Sequence, residues 1–184
     1  FPMHGRRLHY PILAAVTLLL TLPNLGAFSL VDVDEGVNAE AAREMLEAGT
    51  VITPQFNFEL RSAKPALLYW LQMASYSTFG VNEFAARLPS VLAALLTVFL
   101  VYELGRAMFG AAAGLLAGVA LASCIEFWMV GDAATPGATL LLVPVLTFFL
   151  YWTGSRDGRR RWLIPVGVAQ ALAGGADGPG GDAP

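Results

Sequence analysis

At 184 residues, with 56% hydrophobic and only 14% charged residues and a mean hydropathy of +0.60, the chain is too apolar for a soluble domain of its size and belongs in a bilayer. Its formal charge of -3 comes from short connecting segments with no long basic or acidic face, which excludes nucleic acid as a partner. The single cysteine, Cys124, excludes an intramolecular disulfide and a cysteine-based metal site, and His4 and His9 have no acidic or cysteine neighbours at ligand spacing.

A spanning helix takes roughly 20 mostly apolar residues. Five segments fit or approach this: Tyr10 to Leu30, Leu88 to Met108, Ala111 to Val130, Ala138 to Trp152 and Trp162 to Gly174, the last two short or interrupted. The expected class is an all-α, polytopic transmembrane helical bundle with interfacial helices in its first external loop. It divides into a cytoplasmic N-terminus with the first span (1–30), an external loop (31–87), four further transmembrane segments (88–175) and an irregular tail (176–184).

Lys and Arg gather in cytoplasmic loops. With the N-terminus inside, Arg6, Arg7, Arg106, Arg156, Arg159, Arg160 and Arg161 all fall on the cytoplasmic side, and Asp32, Asp34, Glu35, Asp132 and Asp177 fall outside. Arg61, Lys64 and Arg87 break the rule by lying outside, which invites a functional explanation such as an anionic ligand. The basic start followed by a long apolar stretch and further spans reads as an uncleaved signal anchor rather than a cleaved signal peptide.

The loop between the first two spans exceeds fifty residues and is patterned. Asp34 and Glu35 stand as N-cap and first-turn acids for a helix over Gly36 to Ala48, which Gly49 ends. Val37, Ala41, Met45 and Ala48 form its apolar face, and Asn38, Glu40, Arg43, Glu44 and Glu47 the opposite one, so it is expected along the interface with the apolar side down. Thr50 to Ala63 reads as an extended loop broken by Pro54. Lys64-Pro65 then opens a second interfacial helix, Ala66 to Phe79, ending at Gly80. Its Tyr69 and Trp70 suit an aromatic belt, with stacking on a sugar as the other role.

The run from Asp-Val-Asp-Glu-Gly at Asp32 through Ala-Arg-Glu-Met-Leu, Lys-Pro-Ala-Leu-Leu-Tyr-Trp at Lys64 and Phe-Ala-Ala-Arg-Leu-Pro-Ser before Val91 resembles one family. That family is the aminoarabinose transferase and protein O-mannosyltransferase-like (ArnT-like) glycosyltransferases of the GT-C class. The resemblance continues through Gly105-Arg106, Phe109-Gly110 and Ala134-Thr135-Pro136. It implies a membrane glycosyltransferase of the cell envelope, with many transmembrane helices in a bacterial plasma (inner) membrane and an active site at the outer surface. It takes sugar from a polyprenyl-phosphate donor to a lipid, glycan or protein acceptor. By position the essential acid is Asp34 with Glu35 beside it, and Lys64 faces the carrier phosphate. Arg61 and Arg87 are of the right type to assist, and Tyr69 joins the substrate-binding group; the other readings are Arg87 as an interfacial anchor of the second span and Lys64 as a cation snorkelling to the interface. The chemistry is coherent on its own terms, since a carboxylate activates the acceptor and a cation stabilises the phosphate leaving group.

The chain departs from the pattern at Val37 and Asn38, where relatives carry Arg or Tyr, at Ala63 in place of Glu, and at Gly137 in place of Asp. Ala176-Asp177-Gly178-Pro179 replaces a Thr-Lys-Gly-Pro-like motif. These losses leave the sugar and any divalent metal unassigned, and no other cofactor is implied. The alternatives are a transporter-like protein, against which the bland mid-span sequences speak, or an inactive fragment. The tail and the absence of Met at position 1 point to a truncated or garbled reading frame.

Overall fold

The structure is a computed structural model that describes residues 6–23, 25–27, 29–30, 33–50, 55–56, 59–60, 66–157 and 167–168. The expected all-α class holds, apart from a four-residue ladder in the first loop. Helix α1 (Arg6–Thr21) is about 24 Å long at 1.5 Å per residue. The chain then turns, with the Leu25 N–H donating to the Leu22 carbonyl at 3.2 Å. The single span expected over Tyr10 to Leu30 is therefore a shorter helix and a turn, because Pro23 has no N–H with which to continue it.

Helix α2 (Val33–Ala48) closes on Gly49 at φ 65°, where the left-handed conformation lets the Thr50 N–H reach the Met45 carbonyl at 3.1 Å. Strands β1 (Gln55–Phe56) and β2 (Glu59–Leu60) pair antiparallel, Gln55 opposite Leu60. Helix α3 (Ala66–Phe79) has the bounds expected of it and ends at Gly80 with φ 78°.

Helix α4 (Glu83–Phe109) starts five residues before the expected Leu88, because Asn82 caps it by accepting the Ala85 N–H at 2.8 Å. Its 27 residues reach about 40 Å. The segment expected as one span over Ala111 to Val130 is two helices, α5 (Ala111–Ala122) and α6 (Ile125–Asp132), bent by 64° at extended Cys124. Helix α7 (Gly137–Asp157) follows. By length and composition α4 and α7 can cross a membrane, and the bent pair qualifies as a third span. The fifth expected span, Trp162 to Gly174, lies outside the described residues save 167–168.

Helix α4 is the hub, packed against α1, α3, α5, α6 and α7. One core joins Ala39, Ala42 and Met45 of α2 to Tyr69 and Tyr76 of α3 and Ala85 and Ala86 of α4. A second joins Leu13 of α1 to Val98 and Tyr102 of α4, Ala122 and Phe127. Between α4 and α5 glycines set the spacing. A Cβ on Gly114 would stand 2.5 Å from the Tyr102 carbonyl oxygen, and one on Gly105 3.0 Å from the Gly114 Cα. Such close approach is how helices gain dispersion contact where lipid is as apolar as Leu.

The face of α2 differs from the expected one. Asn38 and Glu44 are buried together with Ala41 and Met45, whereas Ala48 is exposed. Helix α2 thus packs a mixed face against protein, where Asn38 Nδ2 donates to the Ala134 carbonyl while its Oδ1 is buried without a hydrogen bond.

Candidate functional site

The first turn of α2 carries Asp34 and Glu35, where acids complement the positive end of the helix. Successive residues on a helix stand about 100° apart, so the two carboxylates point to different places. Asp34 is exposed, while Glu35 is buried at 5% relative exposure.

Glu35 meets Arg87 of α4, itself 6% exposed. The guanidinium grips the carboxylate bidentately, Nε to Oε1 at 3.1 Å and Nη2 to Oε2 at 3.0 Å. The remaining Arg87 donors go to backbone: Nη1 to the Leu25 carbonyl and Nη2 to the Ser29 carbonyl, both at 3.2 Å. Glu35 Oε1 also accepts the Ala134 N–H at 2.6 Å. Asn38, one turn along the same face of α2, donates from Nδ2 to the Ala134 carbonyl at 3.3 Å, and Ser90 Oγ donates to the Thr135 carbonyl at 3.4 Å. One buried ion pair therefore ties together the turn after α1, the start of α2, the first turns of α4 and the turn between α6 and α7. Desolvating two charges is repaid only where geometry and extra hydrogen bonds are this complete.

Three expectations change here, the first being that α2 begins at Val33 rather than Gly36, which puts Asp34 inside its first turn and not at the N-cap. Arg87 was expected to assist at an anionic ligand or to anchor the second span at the interface, yet it is buried and donates to Glu35 and to two backbone carbonyls within protein. Tyr69 was expected in a belt or against a sugar, yet it is fully buried in the α2–α3–α4 core. Trp70 beside it is exposed at 37%. Arg61 and Lys64 lie outside the described residues. Sequence reasoning passed over Ala134 and Ser90 as partners in this knot, and took Asn38 as a residue of the polar outer face of α2 and a departure from the family pattern. Asp132, at the end of α6, acts electrostatically on both Arg87 and Glu35. Among the described residues no group of three or more His, Cys, Asp and Glu side chains is placed to hold a metal ion.

Just beyond Arg87 an apolar groove of about 390 Å³ runs between α3, α4 and α7, walled by Leu71, Phe79, Leu88, Leu92, Leu96 and Leu142. Leu92 and Phe79 are each 54% exposed. The groove is lined by α3, α4 and α7 and by no residue of α2, and its apolar walls suit a hydrocarbon chain.

Residues 63–174 match the dolichyl-phosphate-mannose-protein mannosyltransferase family. The undecaprenyl phosphate-alpha-4-amino-4-deoxy-L-arabinose arabinosyl transferase of Enterobacter sp. (strain 638) is 34% identical, over 86% of this chain and 29% of the relative. An uncharacterized protein of Aquifex aeolicus (strain VF5) is 36% identical over 67% of this chain and 30% of the relative. The crystal structure of ArnT from Cupriavidus metallidurans bound to undecaprenyl phosphate superposes with a TM-score of 0.80 at 29% identity, covering 94% of this chain and 33% of that one. The chain spans about a third of the length of these relatives.

Proposed function

The chain belongs to the dolichyl-phosphate-mannose-protein mannosyltransferase family, and from that premise we propose that the protein it comes from transfers a sugar from a polyprenyl-phosphate donor at the outer face of a bacterial plasma membrane. The observation that carries the reading is the division of labour in the first turn of α2, where Glu35 is locked to Arg87 and Asp34 is presented at the surface. In the reaction an acceptor hydroxyl attacks the anomeric carbon, the bond from that carbon to the phosphate oxygen breaks, and polyprenyl phosphate leaves. Asp34 takes the acceptor proton. Lys64, with Arg61, stabilises the charge arriving on the phosphate. The apolar groove beside Leu88 is suited to part of the isoprenoid chain.

The orientation proposed is N-terminus inside and first loop outside. Arg106 and Arg156 support it by lying at the opposite end of α4 from Arg87, where Arg156 Nη1 donates to the carbonyl of Ala107, the residue after Arg106, at 3.4 Å. The acceptor is proposed only as a lipid or envelope glycan or protein.

The test is transfer of radiolabelled sugar from membrane polyprenyl-phosphate donors by the full-length parent, at matched membrane expression. Asp34→Asn lowers kcat roughly a hundredfold or more, the usual contribution of a positioned general base. Lys64→Ala weakens use of the donor about tenfold or more, as expected for losing a bond to a charged group. Wild-type transfer by Asp34→Asn sinks the assignment.

A further inference from the structure

Helices α5 and α6 climb the flank of α4, and two glycines fix their level. A Cβ on Gly118 would stand 3.6 Å from the Tyr102 Cβ, and one on Gly131 3.2 Å from the Ala94 Cβ. The break between the two helices, at Ser123 and Cys124, therefore lies between those levels, near the middle of α4 (Glu83–Phe109). Since α4 is long and apolar enough to cross a membrane, the first turn of α6 falls within the roughly 30 Å hydrocarbon core. Counted along the sequence, Glu126 stands near the end of the apolar run Ala111 to Val130, but the packing sets it deep.

Helix α6 buries Phe127 and Gly131 against the bundle. Its other side shows Ile125, Glu126 and Met129, all exposed and neighbours at helical spacing. Glu126 makes no hydrogen bond or ion pair among the described residues. As a first-turn acid it gains from the helix dipole, but that gain is several-fold smaller than the cost of a charge at the bilayer centre. Ionisable groups at such depth turn toward protein and pair there. The described residues hold no cation at this level: Arg87 and Arg106 lie toward opposite ends of α4, Arg156 donates to the Ala107 carbonyl, and Arg43 is on α2. A second copy docked by the same face would set Glu126 against Glu126. The rest of the parent is left to supply the partner, and the relatives are about three times as long as this chain.

We propose that the face of α6 formed by Ile125, Glu126 and Met129 docks an apolar helix of the parent from outside these 184 residues, one carrying a single Lys, Arg or His near its middle that pairs with Glu126. The proposal rests on α4 spanning the membrane and not on the transferase reading, so loss of transfer activity leaves it standing.

The experiment places p-benzoylphenylalanine at Met129 in the full-length parent, purified in phosphatidylglycerol nanodiscs and irradiated, and sequences the cross-linked peptides by mass spectrometry. The expected result is an intramolecular cross-link to an apolar segment outside these 184 residues with a basic residue at its middle. Replacing that basic residue by Leu, or Glu126→Leu, lowers the melting temperature of the parent by several degrees, and the two together recover most of the fall. The cross-link leaves Glu126 intact, so it decides even where Glu126→Leu does not fold. Adducts to lipid alone, cross-links only between copies, no cross-link, a partner helix without a basic residue, or strictly additive losses for the two replacements overturns the proposal.

Discussion

The two ends of α4 are fastened in opposite ways. At the Arg87 end it is held by charge, with one guanidinium serving Glu35 and two carbonyls on segments more than fifty residues away in sequence. Toward the Arg106 end its contact with α5 rests on missing side chains, with Gly105 and Gly114 letting the two helices touch backbone to backbone, while Tyr10 and Arg156 add hydrogen bonds from α1 and α7. The first device is directional and chooses its partners, fixing where the start of α2 sits. The second is non-directional and fixes only a distance. A loop that must present one carboxylate needs the former, and a bundle that only needs to stay together is served by the latter.

The largest way to break this contrast is Arg87→Leu, which leaves Glu35 buried without its cation and destabilises by about 3–5 kcal/mol. Pairing it with Glu35→Leu is expected to recover much of that loss, since removing both partners is often near neutral. Thermal unfolding in detergent checks both, and a single variant as stable as wild type denies the pair its role. Next is Gly114→Val at the other end. The new Cβ meets the Tyr102 carbonyl, which cannot rotate away, so the cost is about 1–3 kcal/mol or more. Gly36→Ala is the control, since it meets open space and replaces a poor helix former with the best one.

Much of this was legible in the sequence, and the misses have a common cause. The bounds of α3 were readable because Lys64-Pro65 and Gly80 punctuate it, and Gly80 does take up the left-handed conformation. The end of α2 at Gly49 was readable for the same reason. Hydropathy placed the apolar part of α4 but not its polar first turn, because Asn82 and Glu83 start a helix by capping rather than by burial. The break at Cys124 carries no proline or glycine to announce it. At the site, the residue types Asp34, Glu35 and Arg87 were legible, but not that two of them answer each other. That pairing spans 52 positions and is set by how α2 docks on α4, which no local pattern encodes. The buried face of α2 was misread for a related reason, since Asn38 looks solvent-facing until Ala134 arrives to accept its hydrogen bond.

Smaller effects sharpen the comparison between directed and undirected contacts. Asn82→Ala removes the side chain that accepts the Ala85 N–H at 2.8 Å, and is expected to cost about 1 kcal/mol, read in the same melt. Asn82→Asp keeps the acceptor and recovers most of the loss.

The smallest expected effect separates the two arginines on this side of the molecule. The pair at Arg87 is buried, whereas Arg43 and Glu47 lie on the outer flank of α2 with side-chain exposures of 33% and 63%. The hydrogen bond from Arg43 holds the Glu40 carboxyl below its ordinary value of 4.5. A carboxyl lowered in the folded state contributes stability that is present above its unfolded value and lost as pH falls through the folded one. Melting temperature followed from about pH 6 down to about pH 3 should therefore fall slightly more steeply for wild type than for Glu40→Gln, which has no proton to take up. Solvent and added salt screen an exposed pair, so the difference should shrink further in salt, whereas the loss caused by Arg87→Leu should not. Two superimposable acid curves in low salt would mean that Arg43 gives Glu40 nothing that water does not already give.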